Sequence, residues 1–92
     1  MTKSVRLRIR GRVQAVGFRA WAIFEAEASG LRGWVRNRRD GSVEALLIGA
    51  EEGVAAMIDA CSKGPPAARV TAVEIGEAED DGSAGFTPRP TL

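Results

Sequence analysis

The sequence predicts an α+β fold in which two helices cover one face of an antiparallel sheet. Three observations lead there: strict alternation near the start of the chain, two segments with helical spacing, and an Asp-Gly pair between two short strand-like segments. A chain of 92 residues can bury one compact core, and its 45% hydrophobic and 27% charged residues are ordinary for a globular protein. We therefore expect a single domain over residues 1–92.

The first strand and the first helix are predicted from two different spacings of apolar residues. Apolar residues alternate with arginines over residues 4–10, which is typical of a half-buried strand. Residues 18–29 place Trp21, Phe24 and Ala28 three and four residues apart, and a glycine ends the segment. This spacing predicts a helix.

A hairpin is predicted in the middle of the chain. Residues 33–38 form a short strand, and Asp40-Gly41 follows it. This dipeptide is favoured where both turn residues need positive φ, so residues 42–48 should return antiparallel to the first strand of the pair.

The remainder of the chain adds a helix and a fourth strand. Residues 51–62 carry an apolar stripe that includes Cys61, with acids in the first turn, and residues 69–76 have strand composition. Residues 77–85 form an acidic loop, and residues 86–89 are a candidate for a short edge strand. The order βαββαβ is that of a ferredoxin-like two-layer sandwich, a fold that hosts many unrelated functions.

The residues that the chain lacks restrict its chemistry. There is no histidine, so the commonest acid–base group near neutral pH and the commonest metal ligand are both missing. Glu79, Asp80 and Asp81 lack the spacing of a calcium loop, and we expect no metal and no cofactor. The single cysteine, Cys61, belongs to an apolar stripe and is interpreted as a buried thiol. A lone cysteine and the lack of a long apolar stretch predict a cytoplasmic protein that does not enter membranes.

The positive charge is concentrated in the first part of the chain. Residues 1–40 contain ten of the thirteen basic residues and only three acids, and eleven of the thirteen are arginines. The planar guanidinium fork suits phosphate and carboxylate oxygens, so this part is expected to face an anion.

The segment between the first strand and the first helix, GRVQAVGFR at residues 11–19, has the composition of an anion-binding loop. Its two glycines permit a tight path, and successive N–H groups at the start of a helix can converge on an anion. No Gly-Lys-Ser/Thr follows, so magnesium-nucleotide chemistry is not implied.

At these residues the sequence resembles the acylphosphatase family, whose motifs are Gly-x-Val-Gln-Gly-Val-x-Phe-Arg, a Gly-Trp-Val-x-Asn strand and an Asp-Gly turn. Here they are GRVQAVGFR, GWVRN and DG, and the resemblance continues through KGPPAARV to GFTPR. It implies hydrolysis of a small-molecule acyl phosphate, with Arg19 as the phosphate-binding catalytic arginine and Asn37 as the residue that positions water. The implied phosphate cradle also includes the backbone amides of Gln14, Ala15, Val16, Gly17 and Phe18.

Two residues depart from the family pattern. Ala15 stands where the family usually has glycine, and Pro88 removes an amide from the final strand. Because natural chains rarely retain strain that one substitution removes, we expect Ala15 at negative φ. On that expectation Ala15→Gly would lower stability by increasing the freedom of the unfolded chain.

Alternatives remain open at this point. The RNA-recognition motif uses a similar sandwich, but only five aromatic residues are present to stack bases, which leaves an electrostatic nucleic-acid contact or a protein-binding module. A domain of a larger carbamoyl-phosphate-processing enzyme is another possibility. Arg19 could instead pair with Glu25, and Asn37 could cap the end of its strand. We expect a monomer, and no acyl-binding pocket is identifiable in the sequence.

Overall fold

The computed structural model describes every residue from Met1 to Leu92, and its elements follow the predicted order. They are β1 (Thr2–Arg12), α1 (Phe18–Ala28), β2 (Arg32–Asn37), β3 (Val43–Ala50), α2 (Glu51–Lys63), β4 (Arg69–Glu77) and β5 (Phe86–Pro88). The five strands form one sheet in the order β4-β1-β3-β2-β5. The ferredoxin-like sandwich is confirmed, with β5 as an added edge strand.

The edge strand β5 runs parallel to β2, whereas the other three strand pairs are antiparallel. The expectation of a wholly antiparallel sheet is therefore corrected at this edge. Pro88 lies opposite Val35 in the last pair of the ladder, on an edge strand where a missing N–H is tolerated. The next residue, Arg89, resumes the pairing, because its N–H donates to the Val35 carbonyl at 2.9 Å.

The main core lies between the two helices and one face of the sheet. The alternation of β1 works as predicted, since Val5, Leu7 and Ile9 are buried in this core and the intervening arginines face the other way. In α2 the predicted apolar stripe is also confirmed, with Cys61 buried in it. Burial, and secondarily the charge of Glu25, raises the pKa of the Cys61 thiol to about 12.

The buried face of α1 differs from the spacing that identified the helix. Phe24 is 69% exposed, and Ala28 is also exposed. Two of the three buried residues of the helix are alanines, and Trp21 packs edge-on against the Phe18 ring, with the ring centroids 5.1 Å apart. The buried residues of the helix are Phe18, Ala22 and Ala26.

The acidic loop crosses the sheet face that the helices leave open, on its way from β4 at one edge to β5 at the other. Asp80 pairs with Arg32, and Asp81 accepts a hydrogen bond from Trp34 Nε1 at 3.2 Å. The Trp34 ring also lies under the guanidinium of Arg36, 4.4 Å from the ring centroid. The acidic residues are therefore partners of this face and not only solvated charges.

On the rest of the sheet face that the helices leave open, arginine side chains form ion pairs with carboxylates. Glu44 is buried, and its oxygens lie 3.3–3.6 Å from nitrogens of Arg6, Arg36 and Arg38. Arg10 pairs with Glu74. With Trp34 only 6% exposed, the face offers no open aromatic ring for base stacking, so the nucleic-acid alternative gains no support here. Neither helix has the length and apolarity needed to cross a membrane.

Candidate active site

A pocket of about 340 Å³ lies where the loop after β1, the start of α1 and the end of β2 meet. It brings together Arg19 and Asn37, which come from different elements of the fold. This pairing agrees with the resemblance-based assignment of the two residues to one site. The lining consists of Val13, Ala15, Gly17, Phe18, Arg19, Ala20, Ile23, Asn37 and Pro88.

The loop between β1 and α1 presents unpaired backbone donors. The N–H groups of residues 14–17 donate to no protein acceptor. Ala15 has φ 59° and Gly17 has φ 78°, so two residues of this short loop adopt the left-handed conformation. In proteins, a left-handed residue beside a right-handed one can turn neighbouring N–H groups toward a common point and so form a concave surface that suits an anion.

The expectation that Ala15 has negative φ is wrong. Left-handed backbone costs a residue with a side chain roughly 1–2 kcal/mol, and it persists where the surroundings determine the chain path. Here the loop is fixed at both ends, because Val13 and Phe18 are buried in the core. The tertiary anchors therefore override the local preference of Ala15.

Gln14 ties the loop to the hairpin between β2 and β3. Its side-chain Nε2 donates to the carbonyl of Arg38 at 2.7 Å and to that of Ser42 at 3.0 Å. Gln14 and Val16 do not line the pocket, and Val16 packs against the core instead. The members of the expected cradle that do line it are Ala15, Gly17, Phe18 and Arg19.

The two polar side chains of the pocket are free within the protein. Arg19 is an exposed residue in the first turn of α1, and its guanidinium forms no ion pair, so the alternative pair with Glu25 is absent. Asn37 is the last residue of β2, and its side chain makes no hydrogen bond to the protein. It therefore does not cap the strand end, and both groups are available to a ligand.

The turn that follows Asn37 differs from the expected two-residue type. Five residues, 38–42, separate the strands, and Gly41 alone among them has positive φ, at 93°. The Asp40 carboxylate accepts hydrogen bonds from Ser42 N at 2.9 Å and Ser42 Oγ at 2.6 Å, which is why the turn adopts a side-chain-stabilised form. These hydrogen bonds, with smaller effects from nearby arginines, lower the pKa of Asp40 to about 2.

The C-terminal residues brace the strand end that carries Asn37. Leu92 N–H donates to the Asn37 carbonyl at 3.2 Å, and Arg39 N–H donates to the Leu92 carbonyl at 3.2 Å. The sequence analysis missed this contact, because a segment with two prolines, PRPTL, has no strand pattern. The backbone at Asn37 is therefore held from both sides of β2.

The part of the pocket beyond Arg19 is apolar. Ala20 and Ile23 contribute from α1, Val13 from the loop and Pro88 from β5, whereas Arg19 is the one charged lining residue. Pattern reasoning missed this wall because each of its residues belongs to a different local motif or to a helix whose face was misassigned. Only the tertiary fold brings them together.

Comparisons with known proteins agree with the motif resemblance. The family model described as Acylphosphatase matches residues 5–88. A curated acylphosphatase of Rhodopseudomonas palustris (strain BisB5) is 63% identical over 73 residues, covering 79% of this chain and 74% of the relative. One from Azoarcus sp. (strain BH72) is 55% identical over 85 residues, covering 92% and 87%.

Solved structures share the fold at high similarity. The crystal structure of acylphosphatase from Bacillus subtilis has a TM-score of 0.91 and 37% identity, covering 97% of this chain and 99% of that one. Full-length HypF in its phosphate- and nucleotide-bound form has a TM-score of 0.90 and 25% identity, covering 99% of this chain but 12% of HypF. The same fold therefore also occurs as a small part of a longer protein.

Proposed function

The chain belongs to the acylphosphatase family and hydrolyses acyl phosphates to carboxylate and inorganic phosphate, and we propose that Arg19 and Asn37 perform this reaction in the pocket. One observation carries the proposal. Arg19 and Asn37, from separate elements, line one pocket beside a loop whose amides at residues 14–17 are unpaired within the protein. Phosphoryl transfer without a metal needs a cation and N–H donors that bind the phosphoryl oxygens, together with a group that orients water. The guanidinium of Arg19, the loop amides and the side-chain amide of Asn37 are groups of these kinds.

Arg19 and the loop amides bind the phosphoryl group in this proposal. A guanidinium fork can donate to two phosphoryl oxygens at once, and preorganised N–H dipoles stabilise charge that is spread over those oxygens in the transition state. The exposed position of Arg19, without a competing carboxylate, supports this role. The left-handed residues Ala15 and Gly17 support the amide part of the site.

Asn37 positions the attacking water. Its side-chain amide has an acceptor that can hold a water proton and donors that can face a phosphoryl oxygen, although it cannot act as a base. The water oxygen attacks phosphorus, the bond between phosphorus and the acyl oxygen breaks, and its electron pair leaves with the carboxylate. A carboxylate leaves without a proton, and the proton of the water passes to a phosphoryl oxygen.

The same chemistry explains why we propose metal-independent catalysis. The charge that a metal would neutralise is met by the Arg19 guanidinium and the loop amides, so a chelator should not change turnover. No general acid of raised pKa is required, since the leaving group is the anion of a carboxylic acid. The lack of histidine is compatible with this route.

We further propose that residues 1–92 work as one monomeric unit in the cytoplasm. One chain supplies Arg19, Asn37 and the loop amides, which supports a monomer. A single buried cysteine, Cys61, is typical of proteins from a reducing compartment.

Release of inorganic phosphate from acetyl phosphate, measured with and without a chelator, tests the proposal. Arg19→Lys keeps one charge but loses the fork, so we expect the protein to fold and kcat/KM to fall more than about a hundredfold, which corresponds to at least ~3 kcal/mol of transition-state stabilisation. Arg69→Lys is the matched control, because Arg69 is also exposed and forms no ion pair but does not line the pocket. Retention of more than a tenth of wild-type turnover in Arg19→Lys would remove Arg19 from the catalytic role.

A further inference from the structure

We propose that the apolar wall of the pocket, formed by Ala20, Ile23 and Pro88 above the buried Val13, binds the acyl group and makes uncharged hydrocarbon acyl phosphates the preferred substrates. This inference rests on the proposed function, because it assumes that the phosphoryl group is bound at Arg19. It adds to that function a substrate class, which the phosphate site by itself does not define.

The wall is in the right place to receive a group attached to the bound phosphate. Ile23 follows Arg19 by four residues in α1, so the two side chains lie on the same face of the helix, one turn apart. Pro88 approaches from β5, the strand that pairs with β2, whose last residue is Asn37. An acyl chain that starts at the phosphate therefore runs between Ile23 and Pro88.

The charges of the pocket favour an uncharged acyl group. Arg19 is the only charged residue in the lining, and phosphate occupies it in the proposed complex. A free carboxylate on the acyl group would lose its hydration without gaining a cationic partner in the pocket. An ammonium group would find no carboxylate among the lining residues, so both charged groups are disfavoured. The volume of about 340 Å³ lies at the small end of the range for ligand sites and accommodates a short chain or one ring beside the phosphate.

Phe24 provides a matched comparison for Ile23. It is the next residue of α1 and is 69% exposed, but it does not line the pocket. If simple hydrophobic attraction to the protein surface determined substrate preference, Phe24 would contribute as much as Ile23. The proposal predicts that Ile23 matters and Phe24 does not.

A homologous series of substrates tests the proposal on the wild-type protein. Acetyl, butanoyl and hexanoyl phosphate have leaving carboxylates of nearly equal acidity, so differences in kcat/KM report acyl binding and not intrinsic reactivity. Each methylene placed in an apolar pocket can improve kcat/KM, and for this open pocket we expect hexanoyl phosphate to exceed acetyl phosphate by about tenfold. Succinyl phosphate, which carries a free carboxylate, should be poorer than butanoyl phosphate by a similar factor.

Variants locate the preference in the wall. Ile23→Thr should reduce the hexanoyl-to-acetyl ratio to about twofold while leaving the inhibition constant of inorganic phosphate within about twofold. Phe24→Thr should keep the wild-type ratio. Because Ile23 also packs against the core, Ala20→Ser is a second variant at an exposed lining position, and we expect a smaller decrease in the same ratio.

The possible outcomes distinguish a failure of this inference from a failure of the proposed function on which it rests. No phosphate release from any of the substrates would overturn the proposed function together with the inference. Hydrolysis with a kcat/KM that is independent of chain length, or a preference for succinyl phosphate, would overturn the inference alone. An equal loss of preference in Ile23→Thr and Phe24→Thr would also overturn it, because the pocket wall would then not be the cause.

Discussion

Replacing Ala15 by glycine is expected to stabilise the protein, because Ala15 is held at φ 59°. A left-handed backbone brings the Cβ atom too close to the following carbonyl oxygen, and glycine has no Cβ. Ala15 is exposed, so its methyl group contributes little buried surface that the substitution would remove. The dominant effects are therefore relief of backbone strain in the folded state and greater freedom of the unfolded chain.

These two effects oppose each other. Relief of the left-handed conformation is worth roughly 1–2 kcal/mol. The added freedom of glycine in the unfolded chain costs about 0.4–1 kcal/mol. The net expectation for Ala15→Gly is a gain of roughly 0.5–1 kcal/mol, which corresponds to a rise in Tm of about 2–8 °C for a domain of this size.

Chemical denaturation of paired variants measures this effect. Gly17→Ala and Gly30→Ala introduce the opposite change at φ 78° and φ 69°, and a Cβ at either position meets no atom within 4 Å. Both should lose roughly 0.5–1 kcal/mol, and Gly30 does not line the pocket, so it reports backbone strain without an effect on the site. The comparison requires equal denaturant slopes, so that midpoints can be converted to stability.

A lower denaturation midpoint for Ala15→Gly, with Gly30→Ala behaving as expected, would refute the reasoning. It would mean that Ala15 is not held in left-handed backbone in solution, and that the loop amides are arranged differently. Turnover provides a second measurement, because relief of strain without a change of path should leave kcat within a few-fold.

Three further predictions concern the groups around the pocket. Asn37→Ala should greatly lower kcat for acetyl phosphate while the inhibition constant of inorganic phosphate stays nearly unchanged. If affinity for inorganic phosphate fell by the same factor as kcat, Asn37 would be a phosphate ligand and not a group that positions water. Gln14→Ala should cost about 1–3 kcal/mol in chemical denaturation through loss of two hydrogen bonds between loop and hairpin, and wild-type stability would argue against that link. Because its hydrogen bonds to Ser42 lower the pKa of Asp40 from 3.8 to about 2, Asp40 stabilises the fold above pH 4 and loses this effect as the pH falls toward 2. Asp40→Asn should flatten the pH dependence of stability in that window, and an unchanged slope would contradict the assignment.

The elements of this fold were predictable because their determinants are local. Alternation in β1 and the apolar stripe of α2 each depend on a few consecutive residues, and both predictions hold. The buried face of α1 was not predictable from spacing alone, since Trp21, Phe24 and Ala28 satisfy a helical period although small alanines face the sheet. Selection of that face depends on how closely the helix can approach the sheet, which is a tertiary property.

The candidate active site also combines features that local sequence indicates with features that only the tertiary fold determines. Arg19 and Asn37 were identified through motif resemblance, and the structure brings them to one pocket. The conformation of Ala15 was predicted wrongly because the argument considered one residue, whereas the path of the loop is determined by the buried anchors Val13 and Phe18. The apolar wall of the pocket and the hydrogen bond from Leu92 to Asn37 depend on contacts between distant segments, so no local sequence pattern indicates them.

The contacts around the pocket also explain how a chain of 92 residues holds the loop before α1 and the end of β2 in fixed relative positions. Gln14 joins the loop between β1 and α1 to the hairpin after Asn37, and Leu92 N–H donates to the carbonyl of Asn37 from the opposite side of β2. Neither contact uses the side chain of Arg19 or Asn37, so both side chains remain free for the ligand. Positioning is therefore supplied by backbone and neighbouring amide groups, and this suits a reaction whose barrier is lowered mainly by orientation and by fixed dipoles.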